Sequence, residues 1–120
     1  AEAISATEGP TAKAIEYVNA VRTRAKLANL TSLQTANAAS FLAAIQQERR
    51  VEFMYEGLRW FDLVRWGNFI PVMTNFLDAT DEGNGRYSKN VLAYRSIFAI
   101  PQAEMDRYNN TSVMWQNEGY

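Results

Sequence analysis

The sequence predicts a mainly α-helical chain, with a tetratricopeptide-like αα-hairpin followed by an irregular, loop-rich C-terminal part. Two observations carry that expectation. Apolar residues recur at spacings of three and four over two long stretches of the first half, the period of an amphipathic helix. Beyond Pro71 that rhythm fades, and a segment of Asp, Gly, Asn and Ser takes its place.

The opening segment is loosely polar up to Gly9-Pro10-Thr11, where Pro10 suits a first helical turn. From Thr11 to about Leu30, Ala14, Tyr17, Val18, Val21 and Ala25 mark one apolar stripe. Lys13, Glu16, Arg22, Arg24 and Lys26 take mostly other positions, and the basic residues gather toward the C-terminal end, as the helix dipole favours. Asn29 to about Asn37 is a polar connector, with Asn37 or Thr35 as a cap for the next helix. That helix is expected to run to about Glu56 and stop at Gly57, its stripe formed by Phe41, Leu42, Ile45 and Phe53. Two such helices joined by a polar loop make the αα-hairpin, although the fixed period of a repeat array is absent.

A short third helix is expected from Leu58 to Trp66, ended by Gly67-Asn68. Val72 to Leu77 reads as a helical turn, and Asp78 to Asn90 as loop throughout. Val91 to Ile100 is an apolar run read as a strand or an extended buried segment. Pro101 opens a helical turn over Gln102 to Arg107, and the tail from Asn109 to Tyr120 has Met114, Trp115 and Tyr120 as anchors. No linker divides the 120 residues, so the chain reads as a single domain or a fragment. It begins Ala1-Glu2-Ala3-Ile4 rather than with Met, which reads as a piece of a longer protein.

Composition removes several kinds of chemistry. With no Cys and no His, the chain cannot supply thiol nucleophiles, histidine bases or the usual zinc and haem ligands. The 12 basic and 13 acidic residues give a net charge of −1, so no basic excess points to nucleic acid or an anionic membrane. No stretch approaches the roughly 20 apolar residues of a membrane-spanning helix.

The densest information lies between Glu48 and Gly67, where charged and aromatic residues interleave on what should be one helical face. Glu48, Glu52 and Glu56 fall at i, i+4 and i+8. A catalytic carboxylate pair, as in glycoside hydrolysis, is one reading. Side chains one turn apart on one helix point the same way, whereas a scissile bond needs carboxylates on opposing walls of a cleft. A buried ion-pair network is favoured, with Arg49, Arg50, Arg59 and Arg65 as partners and the junction of the second and third helices as its place. Trp60, Phe61 and Trp66 could stack on sugars, but core packing onto Phe53 and Ile45 is favoured. Asp62 and Arg65 can pair at i, i+3. The loop offers Asp78, Asp81, Glu82 and Asn84 as oxygen donors without the spacing of a calcium loop, and reads as solvated. Tyr87 and Tyr94, in and near it, are the best candidates for exposed aromatic residues.

The stretch Glu48 to Gly67 resembles the signature of SusD/RagB-like proteins, E-R-R-x-E-[apolar]-x-x-E-G-x-R-W-F-D-L-x-R-W-G, at every fixed position. The residues that carry it include Glu48, Arg49, Glu52, Glu56, Arg59, Trp60, Asp62, Arg65 and Trp66. Upstream, Asn19-Ala20-Val21-Arg22-Thr23-Arg24-Ala25 resembles the N-x-V-R-x-R-A core of the preceding helix. Downstream, Phe98 to Met105 and the ending Gln116-Asn117-Glu118-Gly119-Tyr120 resemble the family's closing segment, with Ala99 for a common Pro and Glu118 for another.

The resemblance implies the C-terminal portion of a non-catalytic, glycan- or nutrient-binding lipoprotein at the outer-membrane surface of Bacteroidetes-type bacteria. Such a protein serves a TonB-dependent SusC-like transporter, needs no cofactor, and meets the membrane only through a lipid anchor outside these residues. For the signature it implies a scaffold role. A helical-repeat module that binds a protein partner and no glycan is the alternative.

Overall fold

The structure is a computed structural model describing residues 1–80, 82–109 and 112–120. Those residues hold six α-helices and two short 3₁₀ segments, and no strand. The fold is mainly α, as the periodicity requires. The chain forms two compact units, Ala1–Arg59 and Trp60–Tyr120.

The first unit contains three helices: α1 (Glu2–Glu8), α2 (Ala12–Arg24) and α3 (Ala38–Glu52). Helix α1 was not expected. Its seven residues, rich in Ala and Glu, suit a helix by propensity, but they are too few to show an apolar period. Gly9, at φ 78°, ends it, and its N–H closes on Ser5 O at 3.1 Å. The helix stays formed because it packs on α2 and α3. Ala1 and Ile4 lie against a core of Ala14, Val18, Phe41 and Ile45.

Helix α3 begins after Asn37, one of the two caps the sequence offers, whereas α2 begins at Ala12 behind a Thr11 cap, which leaves Pro10 just outside the first turn expected for it. The Thr11 side chain accepts from Ala14 N–H, and the Asn37 side chain from Ser40 N–H. Both end earlier than periodicity suggested. Helix α2 stops at Arg24 rather than near Leu30, because Lys26 turns left-handed at φ 59°. Leu27 N–H then reaches Arg22 O at 2.8 Å and Lys26 N–H reaches Thr23 O at 3.0 Å, the paired bonds of a Schellman cap. Helix α3 stops at Glu52, not Glu56. Residues 53–57 form a turn in which both Tyr55 (φ 72°) and Gly57 (φ 74°) are left-handed. Glu56 therefore leaves the row that Glu48 and Glu52 occupy.

The second unit starts with α4 (Arg59–Arg65), whose first residue closes the unit before it, and continues with α5 (Phe69–Thr80) and α6 (Gln102–Tyr108). Gly67, at φ 68°, caps α4 in the manner of Lys26: its N–H bonds Val64 O, and Asn68 N–H bonds Leu63 O at 2.9 Å. Helix α5 is twice the expected turn. Pro71 sits in its first turn, where a missing N–H leaves no helical bond unmade.

The apolar run Val91–Ile100 forms neither a strand nor a buried segment. Ala93–Ser96 is a 3₁₀ turn, and Ile97 and Phe98 are exposed. Its backbone is met by side chains of the tail instead of by a second strand. Gln116 accepts from Ile100 N–H at 2.8 Å and donates to Ile100 O at 2.9 Å. Asn117 donates to Phe98 O at 2.7 Å, and the Tyr120 hydroxyl to Ile97 O at 2.9 Å. Of the three expected anchors, Tyr120 works through its hydroxyl, Met114 is half-buried, and Trp115 is exposed. No helix among the described residues is long and apolar enough to cross a membrane.

Candidate functional site

Every charged group of the central segment that could do chemistry must first be placed against its partners. Glu48 and Glu52 lie one turn apart on α3 and border a groove of about 390 Å³, together with Tyr17, Val18 and Val21 of α2. Neither faces it alone. Glu48 pairs with Arg22, and Glu52 with Arg24, both from α2. The partners expected within the segment, Arg49, Arg50, Arg59 and Arg65, are not the ones these two carboxylates take. The network ties α2 to α3, not the second expected helix to the third. Arg22 and Arg24, in the last turn of α2, lie within reach of Glu48 and Glu52 near the end of α3.

The two pairs differ in burial. Arg22 and Glu48 keep only 17% and 18% of their side chains exposed, while Arg24 keeps 66%. The hydrogen bond that Arg24 donates to Glu52, reinforced by the carboxylate's charge, pushes the Arg24 guanidinium further up from its ordinary value. Arg22 also donates from Nε to Ala28 O at 2.6 Å, and Asn19 accepts from Leu30 N–H at 2.9 Å. Three residues of the upstream N-x-V-R-x-R core thus hold the connector and α3 in place. Their spacing is visible in the sequence, but the carboxylates that Arg22 and Arg24 take lie 26 and 28 positions away.

The remaining signature residues spread over both units. Arg49 lies over the Phe53 ring at 4.9 Å, and Glu56 is exposed in the turn. Asp62 is buried and accepts from Arg65 Nη2 at 2.9 Å, so the expected i, i+3 pair forms with its acid inside the unit. Arg65 also lies over Trp66 at 4.9 Å. Trp60 packs edge-on to Phe69 at 4.6 Å and stacks on Phe98 at 5.6 Å, within its own unit, rather than on Phe53 and Ile45 as expected. Phe61, also expected in the core, is exposed. A seven-residue helix buries one stripe, and Asp62 and Leu63 occupy it.

The aromatic candidates of the loop sit differently. Tyr87 is exposed, with Arg86 over its ring at 4.6 Å and bonded to its hydroxyl at 2.5 Å. Tyr94 is half-buried. Its ring meets Tyr120 edge-on at 5.0 Å and lies so close to Gly119 that a Cβ there would come within 2.5 Å of it. Tyr94 also lines a depression of about 560 Å³ with Leu92, Ile97 and Asn117. Of the oxygen donors, Asp78 Oδ1 is buried with no hydrogen-bond partner among the described residues, Glu82 and Asn84 border a separate polar depression, and Asp81 lies outside the described residues. Among the described residues no three acidic side chains come together closely enough to hold a metal ion.

A family model described as SusD family matches residues 1–120. Neither a curated protein nor a solved structure matches the chain.

Proposed function

The chain belongs to the SusD family, and on that premise we propose that it is part of a non-catalytic component that captures glycans or other nutrients for uptake across an outer membrane. The match over the whole length carries this reading. On it, the protein is a lipid-anchored surface protein of Bacteroidetes-type bacteria working with a TonB-dependent SusC-like transporter, and the 120 residues form the C-terminal domain or fragment of it.

The absence of turnover is part of the proposal, and the pairing of Glu48 with Arg22 and Glu52 with Arg24 supports it. Both carboxylates are taken up by guanidiniums of α2, and they stand one turn apart on one helix rather than on opposing walls of a cleft. Capture would be non-covalent, by aromatic faces stacking on sugar rings and side chains bonding their hydroxyls. Within these residues we assign the contact to the loop bearing Tyr87 and to Tyr94 at the edge of its depression. Tyr87 is the more open of the two, since Tyr120 and Gly119 already occupy much of Tyr94.

The test is affinity electrophoresis and calorimetry of the full chain against a panel of soluble polysaccharides and their oligomers. Retention by at least one glycan, weakened in Tyr87→Ala with the sugar recovered uncleaved, is the expected result. Pull-down of a protein partner with no glycan retained would replace it with the protein-binding alternative, and release of cut oligomers would show an enzyme.

A further inference from the structure

The turn after α3 presents a surface that neither packing nor backbone preference explains. Tyr55 is 98% exposed and held at φ 72°. The left-handed region is unfavourable for a bulky residue, and such strain normally persists where something else stabilises it. Among the described residues no packing of the ring offsets it, because the ring buries almost no area. Val51 and Met54 beside it are also more than half exposed. Together with Phe53, Arg50 and Arg59 they line an open groove of about 680 Å³ within the first unit. Among the described residues neither Arg50 nor Arg59 has an ion pair or a side-chain hydrogen bond.

We propose that this groove docks a polypeptide segment carrying a carboxylate next to apolar side chains. The composition of the wall points to protein rather than sugar. Aromatic residues, Met and Arg are enriched at the centres of protein interfaces, and Lys, Asp, Glu and Ser are depleted. The groove has Phe, Tyr, Met and two Arg, and none of those four depleted types lines it. A sugar would need acceptors and donors for its many hydroxyls, and beyond the arginines only Gln47 offers such a side chain, apart from the Tyr55 hydroxyl. Met54 adapts its shape to an apolar partner. Two guanidiniums without a carboxylate set the charge of the occupant, since Arg matches a carboxylate bidentately. This surface is separate from the loop assigned to glycan capture and does not depend on that assignment.

Panning a random-peptide display library against the full chain tests it. Enriched peptides should combine Asp or Glu with Leu, Ile, Phe or Trp. Their affinity for Tyr55→Gly and for Arg50→Gln should fall by roughly tenfold or more, as truncating an interface anchor does. Tyr55→Gly should melt no lower than the parent, because Gly relieves the left-handed strain, so lost binding could not be ascribed to unfolding. Peptides without acidic residues, or bound equally by both variants, would overturn the proposal. So would a neutral or uronate oligosaccharide captured at Tyr55, or a sedimentation shift with concentration that Tyr55→Gly abolishes, which would make the occupant a second copy.

Discussion

At the scale of single residues, position within the segment Glu48–Gly67 does not set how much a charge contributes; the wetness of its partner does. Glu48 and Arg22 are mostly withdrawn from water, so removing one charge strands the other. Glu48→Gln is expected to lower the unfolding free energy by about 2–3 kcal/mol in a denaturant titration, allowing for the part of the pair that stays solvated. Glu52→Gln should move the same midpoint less, because Arg24 is largely solvated and water replaces its partner. An equal or larger shift for Glu52→Gln would mean that exposure does not rank these pairs. The three glutamates look equivalent in sequence, and the structure gives them three different situations: Glu48 withdrawn, Glu52 at the edge, and Glu56 in the exposed turn.

At the scale of elements, helix ends decide most of what the periodicity left open. The stripe of α2 continues past Arg24 in sequence, yet the chain leaves the helix at Lys26, a non-glycine residue in a position that glycine favours. Gly67 does the same task for α4 without that penalty. Lys26→Gly should therefore keep the Schellman bonds and raise stability by about 0.5–1 kcal/mol, part of it offset by the added freedom of the unfolded chain. A lower melting temperature for Lys26→Gly would show that the lysine side chain itself contributes. The segment Val91–Ile100 teaches the complementary lesson. Its β-branched and aromatic content suits a strand, but a strand needs a partner backbone. Ala93–Ser96 coils into a 3₁₀ turn, and Gln116, Asn117 and Tyr120 supply side-chain partners to Ile97, Phe98 and Ile100, so no sheet forms there.

At the scale of the whole molecule, the missing residue types shape behaviour as much as those present. No side chain of the chain has an ordinary pKa between about 5 and 8, since there is no His and no Cys. Lys13, beside Glu16, and Arg24, beside Glu52, are both shifted upward. A raised basic group contributes stability that is present below its ordinary value and lost only as pH climbs beyond its folded value. For Lys13 that ordinary value is 10.5, so any alkaline loss begins above it. The melting temperature should accordingly run flat between about pH 6 and 9. A clear slope inside that window, measured by circular dichroism, would contradict this account.

Composition and period by themselves determined the helical class, the cap at Asn37, the stop at Gly67, the Asp62–Arg65 pair and the resemblance carried by Glu48–Gly67, because each rests on local residue types and their spacing. Helix α1, the early ends of α2 and α3, the arginines that answer Glu48 and Glu52, the place of Trp60, and the exposure of Tyr55 were decided only by tertiary structure. Each depends on groups far apart in sequence or on a backbone turn that competes with periodicity, and short-range spacing has no term for either.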